Sequence, residues 1–263
     1  MTTPHAGTPE RSLVDRALSV LSAFDRQNRT LTLSDISRRS GLPLATAHRI
    51  VNRLHSWGAL ERGEEGSYSI GLRLWETGTL APRCSPLAEA ALPHLMDLRA
   101  RASAGALLMI RDGLEGVCLA IAWSGSGTPL CLPESGDRMP LHASAAGLVL
   151  LAHADDAVQN HVCESPLRVY TPTTPAHGAA LRQALAKVRR DGYAVTHRTL
   201  DPDCASLSFP VRGAGRAVVA AVAVVAPADS FQPAKVAPLV SAAADAISQH
   251  GRSSTLRPPR TTP

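Results

Sequence analysis

The chain has 263 residues, 44% hydrophobic and 19% charged, a globular composition that excludes a disordered or fibrous protein. The net charge of +5 permits a polyanionic partner without requiring one. Five cysteines without a C-x-x-C, no apolar leader before Arg11, and an apolar run at 217–228 far short of a span argue against a disulfide framework, a zinc knuckle and membrane insertion, and point to a reducing cytoplasm.

All basic residues except Lys187 and Lys235 are arginine. Arginine suits phosphates and guanine edges, but a GC-rich genome gives the same bias. Residues 1–11 and 252–263 lack periodicity and read as disordered tails. From Ser12, the apolar residues Leu13, Ala17, Val20, Leu21 and Phe24 recur with helical spacing. A polar break at 25–30 precedes a short helix at 34–40, a turn at Gly41-Leu42-Pro43, and a third helix at 44–56 that stops at Gly58. Leu60-Glu61-Arg62 and Ser67-Tyr68-Ser69-Ile70 flank Gly63-Glu64-Glu65-Gly66 as a hairpin. Three helices followed by a hairpin is the order of a winged helix. An amphipathic helix at 87–103 reads as a link between domains. Beyond it come strands at 106–111 and 116–123, a flexible Ser/Gly loop at 124–128, helices at 144–153 and 179–190, strands at 193–200, 205–212 and 217–225, and a closing helix at 234–249. Helices beside a largely antiparallel sheet make this part an α+β domain. The expected divisions are 1–11, 12–80, 81–104, 105–251 and 252–263.

Residues 33–52 carry the functional signal. A helix-turn-helix needs a residue tolerant of positive φ at its corner, and Gly41 stands there. Four residues earlier the helices nearly touch, and Ser37 is small. Ile36, Leu42, Ala47 and Ile50 supply the apolar crossing. The outward face of the third helix then holds Leu44, Ala45, Thr46, His48, Arg49, Asn52 and Arg53, and the N-terminal residues of such a helix reach base edges in the major groove. Arg49 is the foremost base or phosphate contact, Thr46 and His48 follow, and Arg53 is a phosphate contact. Arg38 and Arg39 either touch phosphates or solvate a face. Glu64 and Glu65 oppose a strongly cationic wing. An ordinary helical hairpin packed for stability is the alternative reading.

From Ser12 to about Gly251 the chain resembles the IclR family of bacterial transcription regulators. The resemblance rests on Ser12-Leu13 with Arg16-Ala17-Leu18, Leu33-Ser34-Asp35-Ile36, Gly41-Leu42-Pro43 with Thr46 and Arg49, Gly58-Ala59-Leu60, Tyr68-Ser69-Ile70-Gly71, Pro140-Leu141-His142-Ala143-Ser144-Ala145, Gly192-Tyr193-Ala194-Val195 and Phe209-Pro210-Val211. It implies an N-terminal winged helix-turn-helix, a linker helix and a C-terminal GAF-like effector-binding domain. It also implies homodimers or dimers of dimers on near-palindromic operator DNA, acting in the cytoplasm, with repression the first expectation.

The family's effector pocket maps onto Ala145 and Ala146, whose N–H groups would face a ligand. The usual lysine is Leu148, an acidic position is Thr196, a cysteine-type position is Ser206, and two serines become Ala223 and Val225. Several polar groups are thus lost, and the expectation is a larger, more apolar effector, or none. No catalytic pair, cofactor motif or metal set is visible. His142, His153 and His161 lack zincin spacing. Cys118 and Cys131 lie in apolar runs and read as inert, and Trp57 and Trp75 read as packing residues. An enzyme and a protein-interaction module are the competing classes.

Overall fold

The computed structural model describes residues 12–81, 84–123 and 132–253. The two tails (1–11, and 254 onward) and the Ser/Gly loop at 124–128 lie outside the described residues. The chain divides into two compact units, with the boundary between Ala81 and Pro82.

In the first unit, α1 (Leu13–Leu21) starts at a capping box in which Ser12 and Asp15 satisfy each other's backbone N–H groups. Thr32 and Asp35 repeat the device at the head of α2 (Leu33–Ser40). α3 (Leu44–Trp57) follows, then strands β2 (Leu60–Arg62) and β3 (Ser67–Ile70), and then a helix the sequence pattern did not show, α4 (Leu72–Thr79). A further strand, β1 (Thr30–Thr32), begins at the last residue of the polar break, and the sheet order is β1-β3-β2. Val20, Ile36, Ala47, Ile50, Val51, Leu60 and Tyr68 form the core. Trp57 and Trp75 correct the packing expectation. Trp75 is 65% exposed, and the exposed Trp57 ring lies under the Arg73 guanidinium, 4.7 Å from its centroid.

The second unit is an antiparallel sheet of six strands, β6-β5-β4-β9-β8-β7. They are β4 (Gly105–Asp112), β5 (Glu115–Ala122), β6 (Arg138–Pro140), β7 (Ala194–His197), β8 (Cys204–Arg212) and β9 (Val218–Pro227). Helices α5 (Ser85–Ala102) and α9 (Pro233–Ser253) pack on one face. Helices α6 (Ala145–Ala152), α7 (Asp156–Glu164) and α8 (Gly178–Asp191) cover the other. Alternation along β9 makes the division plain. Ala220, Val222, Val224 and Ala226 face α5 and α9, whereas Ala221, Ala223 and Val225 face α6. A strand covered on both sides reads as an unbroken apolar run, which is why residues 217–225 were legible as one. The helix expected to link the domains, α5, buries Leu87, Ala91, Leu95 and Leu98 in this second core.

Candidate functional site

The first site is the corner of the helix-turn-helix. Gly41 has φ +69°, a conformation that is strained for any side chain bearing a Cβ. Its N–H donates to the Ser37 carbonyl, and the Ser37 hydroxyl donates to the Leu42 carbonyl at 2.7 Å. These bonds fix the angle at which α3 leaves the turn. Ala47, Ile50 and Val51 point α3 into the core. Its opposite face presents Leu44, Ala45, His48, Arg49, Asn52 and Arg53 to solvent, with Thr46 half-buried. The His48 and Asn52 side chains meet at 3.2 Å, whereas no hydrogen bond or ion pair holds Arg49 or Arg53 among the described residues. Pro43 offers no side-chain cap, so the first N–H groups of α3 are open to an anionic partner.

The two neighbouring arginines separate. Arg38 is exposed and pairs with Asp35. Arg39 is a structural residue, since its Nε donates to the Ala23 carbonyl at 2.6 Å and its guanidinium pairs with Asp25. At the wing, Glu65 adopts φ +57° next to Gly66 at +75°, giving the tight acidic tip that the sequence suggested.

The second site is a hollow on the α6 side of the larger sheet. Ala145, Ala146, Thr196, Ser206, Ala223 and Val225, dispersed over eighty residues of sequence, all line it. Its cavity volume is about 40 Å³ within a concavity of about 450 Å³ that opens to solvent. The space exists because alanines cover much of the wall. α6 reaches the hollow by a close approach at Gly147, where a Cβ would stand 2.7 Å from the Leu141 backbone. The Ser144 hydroxyl accepts from the Gly147 N–H and the Ser144 carbonyl from the Leu148 N–H. The N–H groups of Ala145 and Ala146 are left without a partner among the described residues, although both residues are buried.

Thr196 is 9% exposed, and its hydroxyl likewise lacks a partner among the described residues. Ser206 donates to the Val224 carbonyl at 2.8 Å, so it offers the hollow only lone pairs. Thr199, Leu200 and Asp201 are among the wall residues that went unnoticed in the sequence. They lie in the connection after β7, where no periodicity marks them. A threonine cluster clamps this connection. Thr171 donates to the Arg198 carbonyl at 2.5 Å and Thr174 to that of Thr199 at 2.6 Å, while Arg198 is held at φ +57°.

Two cysteine readings divide. Burial pushes the Cys118 thiol up to about 12, with Asp137 adding to the effect, so it is inert as expected. Cys204 lines the hollow and is disulfide-bonded, which corrects the expectation of reduced thiols; spacing along a chain cannot show which sulfurs meet in space. His142 and His153 each bond a backbone carbonyl, of Arg168 and Val149 respectively, and burial lowers the His153 pKa.

An exposed recognition helix on a winged scaffold, carried with a separate α+β unit, defines a helix-turn-helix DNA-binding regulator of transcription. Residues 13–64 match the model of the IclR helix-turn-helix domain, and residues 83–249 match that of the bacterial transcriptional regulator IclR C-terminal domain. The chain belongs to the IclR family. It is 32% identical over 211 residues to the HTH-type transcriptional regulator XynR of Escherichia coli K12, covering 80% of this chain and 83% of that one. It is 27% identical over 217 residues to the HTH-type transcriptional repressor AllR of Salmonella typhi, covering 82% and 79%. An IclR homolog from Microbacterium hydrocarbonoxydans, solved with 4-hydroxybenzoate, superposes with a TM-score of 0.87 at 32% identity, covering 92% of this chain and all of that one. The family and these relatives are regulators, not enzymes. Among the described residues no helix is long and apolar enough to cross a membrane.

Proposed function

We propose that the protein acts in the cytoplasm as a homodimer or dimer of dimers, represses transcription from a near-palindromic operator, and changes its DNA affinity when a small molecule enters the hollow. The observation that carries DNA reading is the solvent-facing row on α3. Leu44, Ala45, Thr46, His48 and Arg49 meet base edges, Asn52 and Arg53 lie toward the backbone, and Arg38 reaches a phosphate by exchanging Asp35 for it. Support for self-association comes from apolar side chains exposed within the first unit, Leu13, Val14 and Leu18 on α1 and Leu72 and Trp75 on α4, which a second copy could cover. Two symmetric copies require two symmetric half-sites. Repression accords with the function named for AllR.

Effector sensing rests on the buried, partner-free N–H groups of Ala145 and Ala146 beside the Thr196 hydroxyl. Buried polar groups are satisfied by protein, water or ligand, and the ligand-bound Microbacterium relative supports the last. The apolar members of the wall, Leu107, Met109, Met139 and Leu200 among them, suit the expected apolar effector, while the free donors add a place for a polar group on it.

The experiment is selection of genomic DNA fragments by the full-length protein, followed by footprinting. A protected sequence with dyad symmetry, bound with an affinity that falls steeply with salt, supports the reading. Fragments recovered without a common sequence refute it.

A further inference from the structure

We infer that Asp201 makes the hollow selective for a small ligand that joins an acceptor head to a cationic or hydrogen-bond-donating group and carries no net negative charge, as a zwitterionic α-amino acid does. The inference rests on the reading of the hollow as the effector site and adds its charge preference. One set of groups lining the hollow supplies donors: the Ala145 and Ala146 N–H groups at the positive end of α6, and the hydroxyl of Thr196, a nine-tenths buried residue whose side chain has no partner among the described residues. Those donors take a carboxylate or carbonyl.

A second set of groups lining the hollow is of opposite character. Asp201 lines the hollow. One carboxylate oxygen accepts the Asp203 N–H at 2.8 Å, and the other has no partner among the described residues. Ser206 adds lone pairs, its proton being held by Val224. No lysine, arginine or histidine lines the hollow among the described residues. The Arg198 guanidinium, near in sequence, is engaged by Asp229 and the Pro202 carbonyl. A ligand with charge only of one negative sign therefore meets an uncompensated carboxylate, against which a helix end supplies only about half a unit of opposing charge. A ligand that adds an ammonium finds a waiting acceptor. The threonine clamp on residues 198–199 fixes the connection that carries Asp201.

The test is calorimetric titration of the full-length protein with four three-carbon probes of similar size: alanine, lactate, pyruvate and malonate. The expected order of affinity is alanine, then lactate, then pyruvate, then malonate, with about tenfold or more between the first and the third, the value of one charge-assisted hydrogen bond. Asp201→Asn compresses that range and raises malonate affinity, and Asp201→Glu keeps the order. Thr196→Val weakens every probe that binds. Pyruvate or malonate preferred by the wild type, no heat from any probe, or an order unchanged by Asp201→Asn overturns the inference. Binding sensitive to Thr196→Val but indifferent to Asp201→Asn overturns this inference alone. Binding indifferent to both overturns the effector site itself.

Discussion

Arg49→Ala and Arg39→Ala separate the reading function of the helix-turn-helix from its construction. Arg49 is exposed and unpartnered among the described residues, so its removal changes stability by less than about 0.5 kcal/mol. If it reads a base, binding to the operator falls by about 1–3 kcal/mol, roughly 5- to 150-fold, and specificity relaxes at one position. If it holds a phosphate, affinity falls alike on operator and random duplex, and the salt slope diminishes by about one. Arg39 behaves in the opposite manner. Its Nε satisfies the carbonyl of the buried Ala23 and its charge faces Asp25. Truncation leaves that carbonyl without its donor and costs about 1–2 kcal/mol of stability, the ion pair adding little because both partners are partly exposed. Fluorescence anisotropy on the selected operator across a salt series, with thermal unfolding in parallel, reads both effects. An Arg49→Ala protein that binds as the wild type does at every salt concentration, or an Arg39→Ala protein that loses DNA binding with its stability intact, refutes the division.

Two glycines differ in the reason they are needed. Gly41→Ala meets open space and costs only the left-handed backbone, about 1 kcal/mol, whereas Gly147→Ala drives a Cβ against the Leu141 backbone and costs about 1–3 kcal/mol; equal losses in chemical denaturation contradict this. Cys118, with its thiol at about 12, stays unmodified by a thiol-specific reagent at mildly alkaline pH until the protein unfolds, and prompt labelling of the native protein counts against the buried placement. Asp35 is held below the usual carboxylate range chiefly by the Thr32 hydroxyl and then by Arg38. A depressed folded-state value contributes stability that is present above pH 3.8 and disappears as pH falls through the lowered value. Thr32→Val therefore loses less than the wild type in melting temperature between pH 5 and 3, and parallel curves for the two proteins contradict the assignment.

The legible parts of the sequence were those with one dominant period. α3 showed its buried and solvent faces through Ala47, Ile50 and Val51, and the sheet was visible in 106–111 and 217–225 because strands buried on both sides leave no polar interruption. α4 escaped notice because Leu72 and Trp75 are exposed, so its apolar residues mark no internal face. β1 and β6 are three residues each, too short to set a period. At the hollow, the small residues on α6, β7, β8 and β9 came from family correspondence, since alanine carries no chemical signature of its own. Asp201 sits in a connection whose path is fixed by threonines some thirty residues earlier, a relation that exists only in space. The Cys204 disulfide is a relation of the same kind.

The strictly alternating faces of β9 have a consequence for change in this protein. On the α6 side stand Ala221 and Ala223, on the helix-pair side Val222 and Val224. Inserting one residue upstream within the strand would exchange these sets, putting branched side chains where the void is and methyl groups where α5 and α9 rest. The chamber would fill and the opposite seat would loosen in one event. Evolution can therefore reshape this chamber by substituting residues at its wall, but not by adding or removing length in the strand beneath it.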